Sequence, residues 1–377
     1  MTKVAFVTNF LPSYRRDFIR RILSDSRFEV TVFCYRPPAA AGFDTIHHEF
    51  PTRLVETPVW LIGTHSASFQ YLPLHRLITS FSLVIFDGNL RHIGQVAASL
   101  VLLPTGVRCA ILSSDGHPAV TRGRRIRHIY WRLFRNFLMY NEEDTQRVRE
   151  LVPRARVVRS VGNGLDQRLI DRARALPVPP LNATEFEART RRARTFVTIG
   201  RLAESRHTLV LPALKALTDE GVPLLWVVIG GGPHATVLAA EVEALKLQDA
   251  VWFAGPQFEE SRIAYYMTRG EFFLYDHDIG LSLNHAFGYG LPVITHDDDR
   301  RHGPEMTIFR EGVNGITYER GSRSALIAAL RYALSLPESA RREMGERNLH
   351  LVQHHYNTER MASNFADFVE DVTADPS

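Results

Sequence analysis

The chain has 377 residues, of which 45% are hydrophobic and 23% are charged. These proportions are typical of soluble globular proteins and exclude a collagen-like chain, a disordered tail protein and a disulfide scaffold. The longest apolar stretch, residues 96–103, is shorter than the ~20 residues that span a bilayer. The N-terminal residues have no signal-peptide pattern. We therefore predict a cytoplasmic protein in which Cys34 and Cys109 are reduced core residues.

The net charge is +4, from 45 basic and 41 acidic residues, which is too small an excess to indicate nucleic-acid binding. The arginines are unevenly distributed, because many of them crowd residues 15–21 and 122–135 in the N-terminal half. Such clusters are typical of solvated helix faces. They also occur where a protein attracts an anionic acceptor, or makes a peripheral contact with the inner face of an anionic membrane. The sequence leaves these three interpretations open.

Apolar runs of strand length alternate with helical patterns through the first half of the chain. The predicted strands are residues 4–8, 28–34, 83–86, 108–112, 136–140 and 156–160. The predicted helices are residues 13–23, with Ser13 as N-cap, and 92–103. Alternation of this kind predicts parallel strands joined by crossover helices.

A proline-rich, weakly apolar stretch interrupts the alternation at residues 172–194, after which it resumes. The second set of predicted strands is 195–199, 224–229, 251–253, 272–275 and 292–295, with helices at 209–220, 235–245, 261–268, 282–290 and 324–335. We predict an α/β protein with two Rossmann-like domains, at residues 1–170 and 195–355. A linker at 171–194 joins them, and a C-terminal helix at 356–377 returns to the first domain. Ligands of such sheets bind at the carboxyl ends of the strands, so we expect the two domains to face each other across a cleft.

Glycine-containing turns follow several predicted strands of the second half. They are Ile199-Gly200-Arg201-Leu202, Ile229-Gly230-Gly231-Gly232-Pro233, Phe253-Ala254-Gly255-Pro256 and the segment 277–295 with Gly280, Gly288 and Gly290. Glycine allows a backbone to approach a phosphate closely, and helix N-termini offer N–H groups to it. Strand-to-helix turns also require glycine for steric reasons alone, so each turn by itself is weak evidence.

Taken together, these turns resemble the donor half of the retaining glycosyltransferases of family 4, which have the GT-B fold. The resemblance includes the Ala-x-x-x-Gly-Leu-Pro-Val segment at 286–293 and covers residues 195–317. The first half resembles the family only through its alternation and through residues 11–15. The resemblance implies an N-terminal acceptor domain and a C-terminal donor domain that binds a nucleotide sugar. It also implies transfer of a sugar from a nucleotide diphosphate to a hydroxyl acceptor (a glycan, a lipid-linked or a small molecule), with retained anomeric configuration and no cofactor or metal.

The resemblance also assigns site residues. Arg201 and Arg206 would stabilise the diphosphate leaving group, and His117 would lie near the reacting sugar. The donor-binding candidates are Gly230, Gly231, Gly232, Pro233, Gly255, Pro256, His277, Gly280, Leu281, Ser282, His285 and Glu305. The acceptor-side candidates are Tyr14, Arg15, Asp87, Asn89 and Asp115.

The chain departs from the family at four positions that matter for the donor. His277 and His285 replace two glutamates that are usual in the family, and Arg206-His207 replaces a lysine and a glycine. Arginine keeps the positive charge and adds bidentate geometry. An imidazole can still hydrogen-bond a hydroxyl, so we predict that His285 binds the ribose and that a glutamate introduced there partly retains this role. Packing of His285 between helix and sheet is the alternative.

Other interpretations of the same residues stay open. Asp276-His277-Asp278, or Asp297-Asp298-Asp299 with His296 and His302, could suggest a divalent metal site. Two doubly wound halves favour a metal-independent enzyme and a solvated acidic loop instead. A sugar-nucleotide epimerase can share the fold, and so can a non-catalytic protein that binds a nucleotide sugar. Arg201 and Arg206 together favour the transferase over the binding protein.

Overall fold

The computed structural model describes residues 1–37, 45–46, 49–63, 67–115, 122–203 and 207–374. The chain forms two compact units. The first unit is Met1–Asp166 with Asn357–Ser377, and the second unit is Gln167–Tyr356.

The first unit is built on a seven-stranded parallel sheet. In chain order its strands are β1 (Thr2–Val7), β2 (Phe28–Cys34), β3 (Leu54–Glu56), β6 (Leu83–Asp87), β7 (Arg108–Ser113), β8 (Asn136–Met139) and β9 (Val157–Ser160). Between β3 and β6, the strands β4 (Val59–Ile62) and β5 (Ala67–Gln70) form a separate hairpin. The sheet order is β3-β2-β1-β6-β7-β8-β9, and β4 pairs only with β5, antiparallel. Strand β1 therefore lies next to the central strand β6, and their carboxyl ends meet at one edge.

Helices cover both faces of this sheet, as the predicted crossovers require. They are α1 (Arg16–Ser24), α2 (Leu74–Ser80), α3 (Ile93–Leu102), α4 (Arg122–Trp131) and α5 (Glu142–Leu151). The first helix differs from the prediction, because residues Ser13–Arg15 form a 3₁₀ turn and the Ser13 side chain caps nothing. Cys34 and Cys109 are free and buried in the two cores on either side of the sheet, as predicted.

The second unit has a six-stranded parallel sheet. Its strands are β10 (Arg194–Ile199), β11 (Leu224–Ile229), β12 (Val251–Gly255), β13 (Phe272–Leu274), β14 (Val293–His296) and β15 (Gly315–Tyr318). The strand order is β12-β11-β10-β13-β14-β15. The chain therefore adds β11 and β12 on one side of β10, and then adds β13, β14 and β15 on its other side. In open sheets of this order, ligands bind where the direction reverses, which here is the carboxyl end of β10 and β13.

The helices of the second unit begin before its first strand. They are α6 (Gln167–Ala175), α7 (Ala183–Thr190), α8 (Val210–Asp219), α9 (Ala235–Ala244), α10 (Glu260–Met267), α11 (Ser282–Gly288), α12 (Arg323–Ser335) and α13 (Glu338–His354). Residues 171–194, which we predicted as a linker, thus contribute α7 and most of α6. Phe186 of α7 is fully buried, with its ring 5.2 Å from Trp252 and 5.0 Å from Tyr266. This packing fixes the segment to the second unit.

The last helix, α14 (Thr358–Ala374), belongs to the first unit. Phe365 is its anchor, with its ring 5.9–6.2 Å from those of Phe6, Phe18 and Phe28. The prediction of an α/β fold with two Rossmann-like halves is confirmed. Among the residues that the structure describes, none of the helices combines the length and apolarity needed to cross a membrane.

Candidate functional site

The glycine turn after β11 packs against the end of β10. A Cβ at Gly230 would collide with the carbonyl oxygen of Gly200, and one at Gly232 with that of Leu202. The N–H of Leu202 donates to the carbonyl oxygen of Gly231 at 2.9 Å. These glycines are therefore required by close packing of the two strand ends, whatever else they bind. Pro233 follows the turn and leads toward α9.

The end of β12 joins the same edge. Gly255 has φ of 69°, a left-handed conformation that favours glycine, and its carbonyl oxygen accepts from the N–H of Gly230 at 2.9 Å. A Cβ at Gly231 would lie 3.4 Å from the ring of Pro256. The structure thus brings the predicted donor residues of β11 and β12 together.

The loop before α8 is tied to the end of β13 by a buried histidine. His207 Nδ1 lies 2.8 Å from Asp276 Oδ1, and the N–H of Leu209 donates to Asp276 Oδ2 at 3.3 Å. His207 has φ of 66°, which is uncommon for a residue with a Cβ. The contact with Asp276 and the ring of Trp226, 5.4 Å away, hold the histidine in this strained conformation.

The turn at Gly280 lies against a buried carboxylate. A Cβ at Gly280 would be 3.6 Å from Oε2 of Glu305, a residue that is only 6% exposed. The N–H of Gly303 donates to the carbonyl oxygen of Ile279 at 2.7 Å, which joins the two loops. Leu281 and Ser282 follow at the start of α11. The predicted donor residues Gly280 and Glu305 are therefore neighbours.

Two stacked histidines fix these loops. The N–H of Ile279 donates to Nδ1 of His302 at 3.0 Å, while Nε2 of His302 donates to the carbonyl oxygen of His296 at 2.9 Å. Their rings are 4.0 Å apart. Burial lowers the pKa of His302, and burial together with His302 lowers the pKa of His296 to about 4. Both imidazoles are therefore neutral at pH 7, as the hydrogen bond accepted by His302 requires.

His285 contacts a carboxylate that the sequence analysis did not single out. Its Nε2 lies 2.7 Å from Oε1 of Glu260 on α10, and the hydroxyl of Tyr289 donates to the same oxygen at 2.5 Å. Burial alone would raise the pKa of Glu260, but the charge of His285 and the hydrogen bonds from His285 and Tyr289 outweigh it and lower that pKa. Glu260 therefore stays ionised beside His285. It lies 25 residues earlier in no recognisable motif, so nothing in the sequence predicts the pair.

Of the remaining basic candidates, the structure describes Arg201 and His277. Arg201 follows β10 and is exposed, and His277 follows β13, with Nε2 4.0 Å from Oδ2 of Asp278. Arg206 and His117 lie outside the described residues.

Three of the acidic residues near β13 and β14 have basic partners. Asp276 contacts His207, Asp278 Oδ2 lies 3.2 Å from Arg301 Nη2, and Asp298 Oδ1 lies 2.8 Å from Arg300 Nε. Among the residues that the structure describes, no group of three or more His, Cys, Asp or Glu side chains is arranged to hold a metal ion.

In the first unit, Asp87 and Asn89 form the turn after β6. The N–H of Asn89 donates to Asp87 Oδ1 at 2.9 Å, and the N–H of Arg91 donates to Asn89 Oδ1 at 3.1 Å. Burial raises the pKa of Asp87, and the nearby His92 opposes that shift. Asp87 also lines a cavity of about 220 Å³ with Tyr14 and Arg15. Three acceptor-side candidates are thus within reach of one small ligand.

Asp115, the fifth acceptor-side candidate, lies elsewhere and is engaged with α4. Its fully buried carboxylate pairs with Arg124, with Arg127 at 2.8 Å and with His128 at 2.8 Å. Burial alone would raise the pKa of Asp115, but hydrogen bonds from Arg124 and His128 outweigh it and lower that pKa to about 2. With three basic partners and no exposed side-chain surface, the carboxylate anchors α4 after β7.

A family model described as "Glycosyl transferases group 1" matches residues 183–350. This range lies within the second unit and contains the turns after β10 to β14, so the second unit is similar to glycosyltransferase group 1 domains. No curated protein matches the chain.

Solved structures resemble the chain over nearly its whole length, at low sequence identity. A glycosyltransferase from Rickettsia africae has a TM-score of 0.71 at 12% identity, covering 100% of this chain and 99% of its own. HepE from Anabaena, crystallised with UDP, has a TM-score of 0.69 at 12% identity, covering 98% and 100%. Sucrose-phosphate synthase from Thermosynechococcus elongatus has a TM-score of 0.66 at 15% identity, covering 99% and 100%. These likenesses show the GT-B fold.

Proposed function

We propose that the protein transfers a sugar from a nucleotide diphosphate sugar to a hydroxyl acceptor, with retained anomeric configuration and without a metal. The observation that carries the proposal is the edge of the second sheet where the strand order reverses. There the glycine turn 230–232, Arg201 and His277 follow neighbouring parallel strands. This edge lies within residues 183–350, which match the glycosyltransferase group 1 model.

Arg201 is the group that we assign to the leaving diphosphate. When the bond between the sugar and the β-phosphate oxygen breaks, negative charge grows on that phosphate, and a preoriented guanidinium stabilises it. The acceptor oxygen bonds to the anomeric carbon on the same face, and its proton passes to the departing phosphate. The start of α11 contributes less than Arg201, because a seven-residue helix has a small dipole. Arg206 is assigned to the same role by the family resemblance.

His285 is the residue that we assign to ribose binding. Its contact with Glu260 determines which ring nitrogen is available to the ribose. Nε2–H donates to Glu260, and Nδ1, which has no hydrogen-bond partner among the described residues, is left for the ribose. A neutral Nδ1 accepts a hydrogen bond from a ribose hydroxyl and a protonated Nδ1 donates one to it, so either form can take the role of a glutamate carboxylate in the family. Glu260 then acts as a positioning residue that determines which ring nitrogen faces the ribose.

Metal independence rests on charge pairing at the same edge. Asp276 is held by His207, and Asp278 lies within 3.2 Å of Arg301. A divalent ion would have to displace these basic partners, whereas Arg201 already supplies positive charge for a diphosphate. We therefore assign the neutralising role to arginine.

A panel of UDP-, GDP-, ADP- and dTDP-sugars tests the function. UDP-sugars come first, because HepE was crystallised with UDP. The true donor at 100 times its Kd should add ~2.7 kcal/mol to the free energy of unfolding. With an acceptor, NMR of the product should show the anomeric configuration of the donor, at a rate that EDTA leaves nearly unchanged.

Three outcomes would contradict this proposal. Conversion of the nucleotide sugar without any acceptor would indicate an epimerase. Binding with neither transfer nor hydrolysis, across a broad acceptor panel, would indicate a binding protein. Loss of activity on chelation, restored by Mg²⁺ or Mn²⁺, would revive the metal interpretation of residues 276–278.

We also propose that α4 and the turn after it make a peripheral contact with an anionic membrane. Ile126, Ile129 and Leu133 are 50–65% exposed at helical spacing, and the exposed Arg125 and Arg132 lie beside them. An apolar stripe flanked by arginines is typical of helices that lie in a membrane interface.

Cosedimentation with phosphatidylglycerol vesicles tests this contact. We expect Ile129→Asp to reduce the bound fraction several-fold, because it places a charge among apolar side chains and near anionic lipid. Val237→Asp, at a 48% exposed position on α9, is the matched control and should bind as the wild type does. Equal binding of wild type and Ile129→Asp would refute the contact.

A further inference from the structure

The cavity in the first unit contains a preoriented arginine. It has a volume of about 220 Å³ and lies at the carboxyl ends of β1, β6 and β7. Ligand pockets for drug-sized molecules usually measure ~300–1,000 Å³. The cavity therefore fits one end of an acceptor or a small acceptor. Its polar lining includes Asn9, Tyr14, Arg15, Asp87 and Tyr140.

Arg15 is held in place by neutral groups. Its Nη1 lies 3.3 Å from the sulfur of Met361 on α14, and its guanidinium carbon lies 5.3 Å and 5.8 Å from the ring centres of Tyr14 and Tyr140. Such contacts with aromatic rings restrict a guanidinium but do not neutralise its charge. Most of its donor capacity is left for a ligand, since a guanidinium has five N–H donors.

The neighbouring arginines of α1 differ from Arg15 in their partners. Arg16 pairs with Glu49 at 2.8 Å, Arg21 with Asp17 at 2.6 Å, and Arg20 with Asp17 at 4.0 Å. Arg15 forms no ion pair within 4.0 Å with a carboxylate of the described residues, although Asp87 lines the same cavity. A partly buried guanidinium without a counter-ion is costly unless a ligand supplies one.

We propose that Arg15 binds an oxyanion, a phosphate or carboxylate, carried by the acceptor. This inference rests on the proposed function, and it narrows the acceptor to a molecule that has both an anionic group and a hydroxyl. The Asp87 carboxylate repels the oxyanion of the acceptor, so the oxyanion binds next to Arg15 and away from Asp87. The Asp87 carboxylate is left to accept a hydrogen bond from an acceptor hydroxyl. Arginine suits this role because its planar guanidinium can donate two parallel hydrogen bonds to a phosphate or to a carboxylate.

Equilibrium dialysis with inorganic phosphate and with acetate tests the inference. The experiment uses the full chain with Arg201→Ala, so that binding at the donor diphosphate position is weakened. In this background, Arg15→Gln should weaken the affinity for the preferred anion about tenfold or more, the loss expected for a charge-assisted hydrogen bond. Arg15→Lys should retain part of it. Tighter binding of phosphate than of acetate would assign a phosphate, and the reverse a carboxylate.

Arg20→Gln is the matched control, because Arg20 lies on α1 with a side chain that is 57% exposed. It should bind both anions as the Arg201→Ala parent does. Equal anion affinity in the parent and Arg15→Gln, with both proteins folded by circular dichroism, would overturn the inference. So would an equal loss in Arg20→Gln, which would indicate a diffuse charge effect. The dialysis needs no donor sugar, so its result is independent of whether sugar transfer is found.

Discussion

Replacement of Arg201 by alanine should reduce turnover about 10²–10³-fold, the usual cost of removing one preorganised group that stabilises transition-state charge. The loss should appear mainly in kcat, because charge on the β-phosphate grows as the sugar–oxygen bond breaks. Arg201 is exposed after β10, so the variant should unfold at nearly the wild-type temperature. Steady-state kinetics with the donor and acceptor from the screen measures both constants.

Arg262→Ala is the matched control for Arg201. Arg262 is an exposed arginine of α10 in the same unit, and among the described residues its ion-pair partner is Glu259, at 3.2 Å. Its turnover should equal that of the wild type. A wild-type rate in Arg201→Ala would mean that the diphosphate is stabilised elsewhere, and a drop in both variants would indicate a general effect of charge.

Replacement of His285 by alanine should weaken binding of the nucleoside diphosphate by ~0.5–3 kcal/mol, the range for one lost hydrogen bond. It should also lower the melting temperature, because the largely buried Glu260 loses one of the two side-chain hydrogen bonds that it accepts from the described residues. Calorimetric titration into each folded variant measures the binding separately. Unchanged affinity with a lower melting temperature would make His285 a purely structural link between α10 and α11.

The structure changes the expectation for His285→Glu. A glutamate at 285 would face the ionised Glu260 in place of an imidazole that contacts it at 2.7 Å. Like charges at this separation repel, so the single variant should not recover nucleotide binding. The double variant His285→Glu with Glu260→Gln removes the repulsion and should recover part of it. Recovery in the single variant instead would show that Glu260 does not set the properties of position 285.

Several features of the fold follow from the sequence, because their signals are local. Residues 224–229 are a continuous apolar run of strand length and residues 28–34 are largely apolar, and the structure has both strands with these bounds. The hairpin of β4 and β5 was not predicted. Its residues Trp60, Leu61 and Ile62 are exposed, so this hairpin lies outside the buried sheet that the apolar runs indicate. The helices at 167–175 and 183–190 were missed because prolines at 177, 179 and 180 suggested a linker.

The sequence by itself determined which residues follow the strands of the second half, and the donor domain was implied by the resemblance of these turns to a known family. Only the tertiary structure decided what those residues contact. Glu260 of α10 reaches His285 of α11 only in the folded chain, and Arg15 forms no ion pair among the described residues because its neighbours' carboxylates lie next to other arginines. Asp115 shares its position after a strand with Asp87, yet three basic side chains surround only Asp115. Charge pairing depends on distances between segments remote in sequence, and no local pattern encodes them.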